Sequence, residues 1–97
     1  AMATHDPPAD WDRDLPPRPI SDELWLALVA DLRLSPQQAR IVDLIHRDLE
    51  YDEIARRLGI SERVVRDYLQ RVCQRLGVRR RSGLVLYAYK RSHVLRR

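Results

Sequence analysis

Between Tyr51 and Leu76 two runs of helically spaced apolar residues stand only three residues apart, across Gly59-Ile60-Ser61. No other feature limits the possible folds of this chain as tightly. Ile54, Ala55 and Leu58 form the first stripe, and Val65, Leu69, Val72 and Leu76 the second. Each recurs every three or four positions, as one face of a helix does. Glycine tolerates the backbone of a tight helix exit, and Ser61 can cap the helix that follows. A short helix, a glycine turn and a longer capped helix make the pattern of a helix-turn-helix. The small Ala55 suits two helices that cross steeply.

The flanks add helices. Ser35, Pro36 and Gln38 open one with a cap, a first-position proline and a capping box. Ile41, Leu44 and Ile45 line its apolar face, and Asp48-Leu49-Glu50 ends it. Upstream, Ser21 caps a helix whose first turn carries Asp22 and Glu23, favoured at the positive end of the dipole. Leu24, Trp25, Leu28, Val29 and Leu32 recur along it, while Leu26 falls outside the stripe. Two readings of this helix are open: packing on the core, or an oligomer contact with Trp25 and Leu26 as its candidates. Residues 1–20 carry five prolines among aspartates and read as a flexible, acidic arm; its Trp11 would dock on the domain or on a partner. Residues 84–89 suit a buried strand as well as a helix, although Ser82 as a cap favours the helix. The basic residues that close the chain suggest a disordered tail.

Charge is distributed unevenly. The net +4 of the chain divides into −4 for residues 1–33, −1 for residues 34–60 and +9 for residues 61–97, where eleven Lys and Arg face two acids. Such an excess suits either a phosphate-binding surface or a solvated arginine-rich face. The single cysteine, Cys73, leaves no intrachain disulfide and suits a reducing, cytosolic compartment. No apolar run nears the ~20 residues that span a bilayer, and the acidic, proline-rich start is unlike a secretory signal. Catalysis, a metal or another cofactor is not expected. His5, His46 and His93 lack metal-ligand spacing, and no glycine-rich phosphate loop or nucleophile–base set is present. His46 reads as a capping or surface histidine and Cys73 as a small buried residue.

The helix over 62–76 carries the binding chemistry. Opposite its apolar stripe lie Arg63, Arg66, Asp67, Gln70 and Gln74, and arginine and glutamine pair bidentately with guanine and adenine edges. Asp67 stands four residues from both Arg63 and Arg71, which suggests an intrahelical ion pair. Accepting from cytosine and repelling phosphate are the other options. Arg79, Arg80 and Arg81 exceed what a helix end needs, so phosphate contact by them and by Arg71 is expected.

From Leu34 to Lys90 the chain resembles the LuxR/GerE-type helix-turn-helix domain. Leu34-Ser35-Pro36-Gln37-Gln38 is similar to that family's first helix, and Glu53-Ile54-Ala55-Arg56-Arg57-Leu58-Gly59-Ile60-Ser61 to its scaffold helix and turn. Val64-Val65-Arg66-Asp67-Tyr68-Leu69 and Arg75-Leu76-Gly77-Val78 resemble its recognition helix and exit. Arg81-Ser82-Gly83-Leu84-Val85 and Ala88 resemble its last helix, so the resemblance implies a helix over 84–89. The register runs without a gap.

The resemblance implies a four-helix domain over 34–90; with the extra amphipathic helix 21–33 and the arm 1–20 in front of it and the tail 91–97 behind it, both read from the residues themselves, an all-α chain is expected. It implies binding to double-stranded DNA, usually as a homodimer, and so a transcription regulator in the bacterial cytoplasm, associated with the nucleoid. The family's base-reading positions fall on Arg66, Asp67 and Gln70, and its phosphate positions on Val64, Tyr68, Tyr51 and Asp52. Val64 cannot bond a phosphate and Asp52 would repel one, which implies either weak affinity or a transfer of that work to Arg63, Arg71 and the tail. The last helix implies a dimer contact, with Val85, Tyr87 and Tyr89 as candidates. Neither a membrane nor a small-molecule ligand is expected, because 97 residues leave no room for a separate ligand domain; the chain is free-standing or a piece of a larger protein. Glu50-Tyr51-Asp52-Glu53-Ile54-Ala55 also resembles region four of bacterial sigma factors, which would bring RNA polymerase as a partner. A helix-turn-helix turned protein-interaction module, gripping through residues 21–33, is the third reading.

Overall fold

The computed structural model of the chain describes residues 13–96; Trp11 lies outside them. Five helices follow in order: α1 (Asp22–Asp31), α2 (Pro36–His46), α3 (Tyr51–Leu58), α4 (Glu62–Leu76) and α5 (Arg80–Leu95). Among the described residues there is no strand, so Leu84–Tyr89 resolves as helix. None of these helices is long and apolar enough to cross a membrane.

Local chemistry sets most of the boundaries. The Ser21 hydroxyl accepts from the Leu24 amide at 3.2 Å, and the Ser35 hydroxyl from the Gln38 amide at 3.1 Å. Gln38 Oε1 accepts in turn from the Ser35 amide at 3.0 Å, which completes the capping box. Gly59 and Gly77 end α3 and α4 with φ of 69° and 72°, a region closed to most side chains. Past Gly77 the Val78 amide reaches back to the Cys73 carbonyl at 3.0 Å, satisfying a helix-end acceptor.

One core joins all five helices. Leu28 of α1, Ile41, Val42, Leu44 and Ile45 of α2, Ile54 of α3, Val65 and Val72 of α4, and Leu84 and Ala88 of α5 are all buried. α3 and α4 pack on each other and on α2, while α5 lies against α4 and α1. α1 is thus part of the domain's own core, packed chiefly on α5. Trp25 is 7% exposed, against 66% for Leu26. Its ring sits 5.3 Å from the Arg18 guanidinium and 6.2 Å from the His46 ring. Trp25 is therefore a core residue, as the core-packing reading of this helix has it, and is too buried to serve as the oligomer-contact candidate of the other reading, because its large apolar ring loses most by staying in water.

Three further expectations are corrected. Residues 13–20, read as part of a free arm, are held down: Arg18 Nε and Nη2 donate to the two Asp43 carboxylate oxygens at 2.8 and 3.0 Å. Asp43 is 3% exposed, and Arg47 also donates to it at 3.1 Å and to the Pro16 carbonyl at 3.2 Å. Burying a carboxylate requires such partners, so α2 recruits the segment. The supposed tail continues α5 to Leu95, where Ser92 is buried and Arg91 binds Asp31. α5 also starts at Arg80 rather than behind a Ser82 cap, with Arg79 as a cap residue that makes no side-chain cap bond.

Candidate nucleic-acid interface

α4 divides cleanly by side. Val65, Leu69, Val72 and Cys73 are buried, while Arg63, Arg66, Asp67, Gln70, Arg71 and Gln74 are exposed. The Ser61 hydroxyl accepts from the Val64 amide at 3.1 Å and fixes the start of the helix. A 100° step per residue and the buried stripe together decide that the guanidinium and carboxamide groups face outward. All five candidate base readers, Arg63, Arg66, Asp67, Gln70 and Gln74, share that free face. Tyr68 is half-buried and packs against the core.

Arg66 touches side chains of both α3 and α4. Its Nη2 lies 3.4 Å from Glu62 Oε1, one turn earlier, and its guanidinium stands 5.2 Å from the Tyr51 ring centroid. The Arg81 guanidinium lies 5.4 Å from the same centroid. Arg81 also donates to the Leu49 carbonyl and comes within 3.8 Å of Asp48. Tyr51 thus brings α3, α4 and the start of α5 together at one point. The ion pair drawn on α4 is Arg66–Glu62; Asp67, expected to pair with Arg63 or Arg71, makes none among the described residues. Glu62 is one of the two acids of residues 61–97, and its i,i+4 spacing to Arg66 is legible in the sequence.

Arg79 and Arg80 are exposed at the start of α5. Arg80 has φ of 62°, strained for a side chain with a Cβ, and its carbonyl accepts from Cys73 Sγ at 3.7 Å. Burial pushes the Cys73 thiol above its ordinary value, which fits an inert packing role. Arg75, absent from the expected sites, donates to the Arg33 carbonyl at 3.0 Å and ties the end of α4 to the α1–α2 turn.

The candidate dimer residues of α5 differ in exposure. Tyr87 turns toward the crevice of Asp31, Arg75 and Arg91, and Val85 is half-buried. Leu86 and Tyr89 are the exposed apolar residues of mid-α5, at 52% and 56%. They border an open, mostly apolar cavity of about 1040 Å³ between residues 18–20, α1, the end of α2, Tyr51 and α5, with Trp25 and Leu28 in its wall. No cluster of three or more His, Cys, Asp or Glu gathers as a metal site among the described residues.

Residues 32–88 match the GerE family of bacterial regulatory proteins, the luxR family. The chain belongs to this family. The match covers the four helices α2–α5 as far as Ala88 and leaves α1 as an addition in front of them. Over 55 residues, 57% of the chain, it is 40% identical to the probable HTH-type transcriptional regulator GfsR of Streptomyces halstedii. That stretch is 23% of the relative's length, so the chain spans about a quarter of that protein. No solved structure gave a significant match. A luxR-family helix-turn-helix is a DNA-binding module of transcription regulators.

Proposed function

We propose that this luxR-family chain reads a defined DNA sequence by laying α4 in the major groove, and that it does so as a homodimer joined through α5. The observation that carries the reading is the outward row of Arg63, Arg66, Asp67, Gln70 and Gln74 over the buried Val65, Leu69 and Val72. Arginine and glutamine on one convex helix face match the donor and acceptor edges of base pairs in a groove about 12 Å wide. Arg71, Arg79 and Arg80 supply exposed positive charge for the phosphates, the sequence-independent part of the binding.

Leu86, Tyr89 and the apolar cavity beside them support the dimer: an exposed apolar patch of this kind marks a docking surface, and a two-fold axis through α5 would present two α4 helices to two half-sites. Val85 borders the same patch; Tyr87 does not. Regulation of transcription in the bacterial cytoplasm is the role that follows, by analogy with the relative's printed name.

Selection of bound duplexes from a random pool, repeated at two salt concentrations, tests the reading. A recovered two-fold symmetric motif is the expected result, with Arg66→Ala weakening the selected site by roughly 1–3 kcal/mol and relaxing base choice at one position. Recovery of random duplexes at both salts would reject sequence reading, and sites retained only with RNA polymerase present would favour the sigma-like alternative.

A further inference from the structure

We infer that Tyr51 is a specificity-positioning residue: its ring holds the Arg66 guanidinium in place, so that the base choice made by Arg66 depends on that aromatic face and not on the Tyr51 hydroxyl. The inference rests on the reading of α4 as the groove helix and goes beyond it, because the family resemblance assigns this position to a phosphate.

Arg66 is a long, exposed side chain whose ionic partner, Glu62, lies at 3.4 Å in solvent. An exposed pair of that kind contributes little to fixing a rotamer. The Tyr51 ring is the better support, since its centroid is 5.2 Å from the guanidinium, inside the ~6 Å reach of a cation–π contact. Tyr51 is half-buried at the first position of α3 and packs against the core. Its ring is therefore a fixed surface and not a second mobile arm.

The ring is braced from α5 as well. Arg81 lies 5.4 Å from its centroid and is itself tethered to the Leu49 carbonyl, with Asp48 at 3.8 Å. The linkage runs from the α2–α3 turn through Arg81 and Tyr51 to Arg66, using side chains from three helices. Arg81 thereby acts on the inside of the interface, through the ring, more than on a phosphate. A cation–π contact engages the face of a guanidinium and not its N–H edges; beyond the exposed Nη2 contact to Glu62 at 3.4 Å, which a base can replace, those edges make the bidentate pair with guanine. Preorganising the fork removes part of the rotamer cost of binding the correct base. A wrong base gains nothing from it.

The test compares the full chain with Tyr51→Phe, Tyr51→Leu, Arg66→Ala and the double variant Tyr51→Leu/Arg66→Ala, each on a selected duplex and on its scrambled counterpart at one salt concentration. Tyr51→Phe is expected to bind both duplexes like the parent. Tyr51→Leu is expected to lose roughly two- to fivefold of the selected-over-scrambled ratio, as an exposed cation–π contact implies, while its scrambled-duplex affinity stays unchanged. In the Arg66→Ala background the same change should have no further effect. Uniform weakening by Tyr51→Phe would overturn the inference in favour of a hydroxyl–phosphate contact. So would a Tyr51→Leu loss that persists without Arg66, or a retained ratio in Tyr51→Leu where Arg66→Ala loses it; in that last case the groove reading stands alone. If Arg66→Ala keeps the full ratio, the groove reading itself fails. Tyr51→Trp guards against a folding defect in Tyr51→Leu: it keeps a cation-binding face and should keep the ratio, and a Trp variant that folds yet loses it would count against the ring.

Discussion

Arg91 of α5 grips Asp31 at the end of α1 through two parallel N–H···O bonds, Nε to Oδ2 at 2.6 Å and Nη2 to Oδ1 at 2.8 Å. These hydrogen bonds hold the Asp31 carboxyl below its ordinary value of 3.8, against the opposing effect of desolvation. The pair links the element that precedes the matched family segment to the end of the chain, sixty residues away. α1 is consequently structural. Leu28→Ala, at a fully buried α1 position, should cost about 2–5 kcal/mol in a urea titration. Asp31→Asn should speed hydrogen exchange in α1 while leaving α4 protected; equal protection in α1 would show that the pair holds nothing.

Two glycines should respond in opposite senses to the same change. At Gly59, φ is 69° and a Cβ would meet nothing within 4 Å, so only backbone strain opposes alanine. Gly59→Ala should lower stability by about 1–2 kcal/mol. Gly83 lies inside α5, where a Cβ would make ordinary contact with Val78 Cβ at 3.6 Å. Gly83→Ala should raise stability by about 0.5–1 kcal/mol. Thermal melts of the two variants beside the parent decide both points.

Acid sensitivity should begin near neutrality. The His46 Nδ1 stands 2.8 Å from the Val42 carbonyl, and a carbonyl only accepts, so this nitrogen carries the proton. Burial lowers the His46 pKa below its ordinary 6.5, outweighing the Val42 carbonyl and Asp43, which both raise it. The unfolded chain then binds a proton more readily than the folded one. The stability is fully present above pH 6.5 and is lost as pH falls from there to the lowered pKa, with a slope of at most about 1.4 kcal/mol per pH unit. Asp14 and Asp31, also lowered, act only around and below 3.8. In His46→Leu the urea midpoint should no longer fall between pH 7 and pH 5.5; an unchanged slope would point to another group.

Phosphate binding should be readable in salt. Arg80 is exposed, so Arg80→Ala should weaken all duplexes alike and flatten the log–log salt slope by about 0.9. A change confined to one sequence would mean that Arg80 reads bases.

Dimer formation should depend on the exposed side of α5. Leu86→Glu and Tyr89→Glu are expected to shift sedimentation toward monomer, because a carboxylate buried in an apolar contact has no partner. Leu26→Glu, on the exposed side of α1, tests whether the contact spreads to that helix. A parent chain that sediments as a monomer at tens of micromolar would remove α5 as a constitutive contact.

Serine caps, glycine exits and apolar periodicity are local signals, and they placed α2, α3, α4 and the free face of α4 without any coordinates. Ser35-Pro36 with Gln38, Gly59 before Ser61, and the Val65–Leu69–Val72 stripe each act within one or two turns of the residues that carry them. Long-range partners are a different matter. That Trp25 is core, that Arg18 descends on Asp43 and that Arg91 reaches Asp31 all depend on how the helices stack, and no spacing rule spans 25 or 60 positions. The Arg66–Tyr51–Arg81 cluster is of the same kind. Each of its residues was recognisable as a candidate alone, but a buried stripe dictates only which way a helix faces, and the packing of three helices decides what stands beside it.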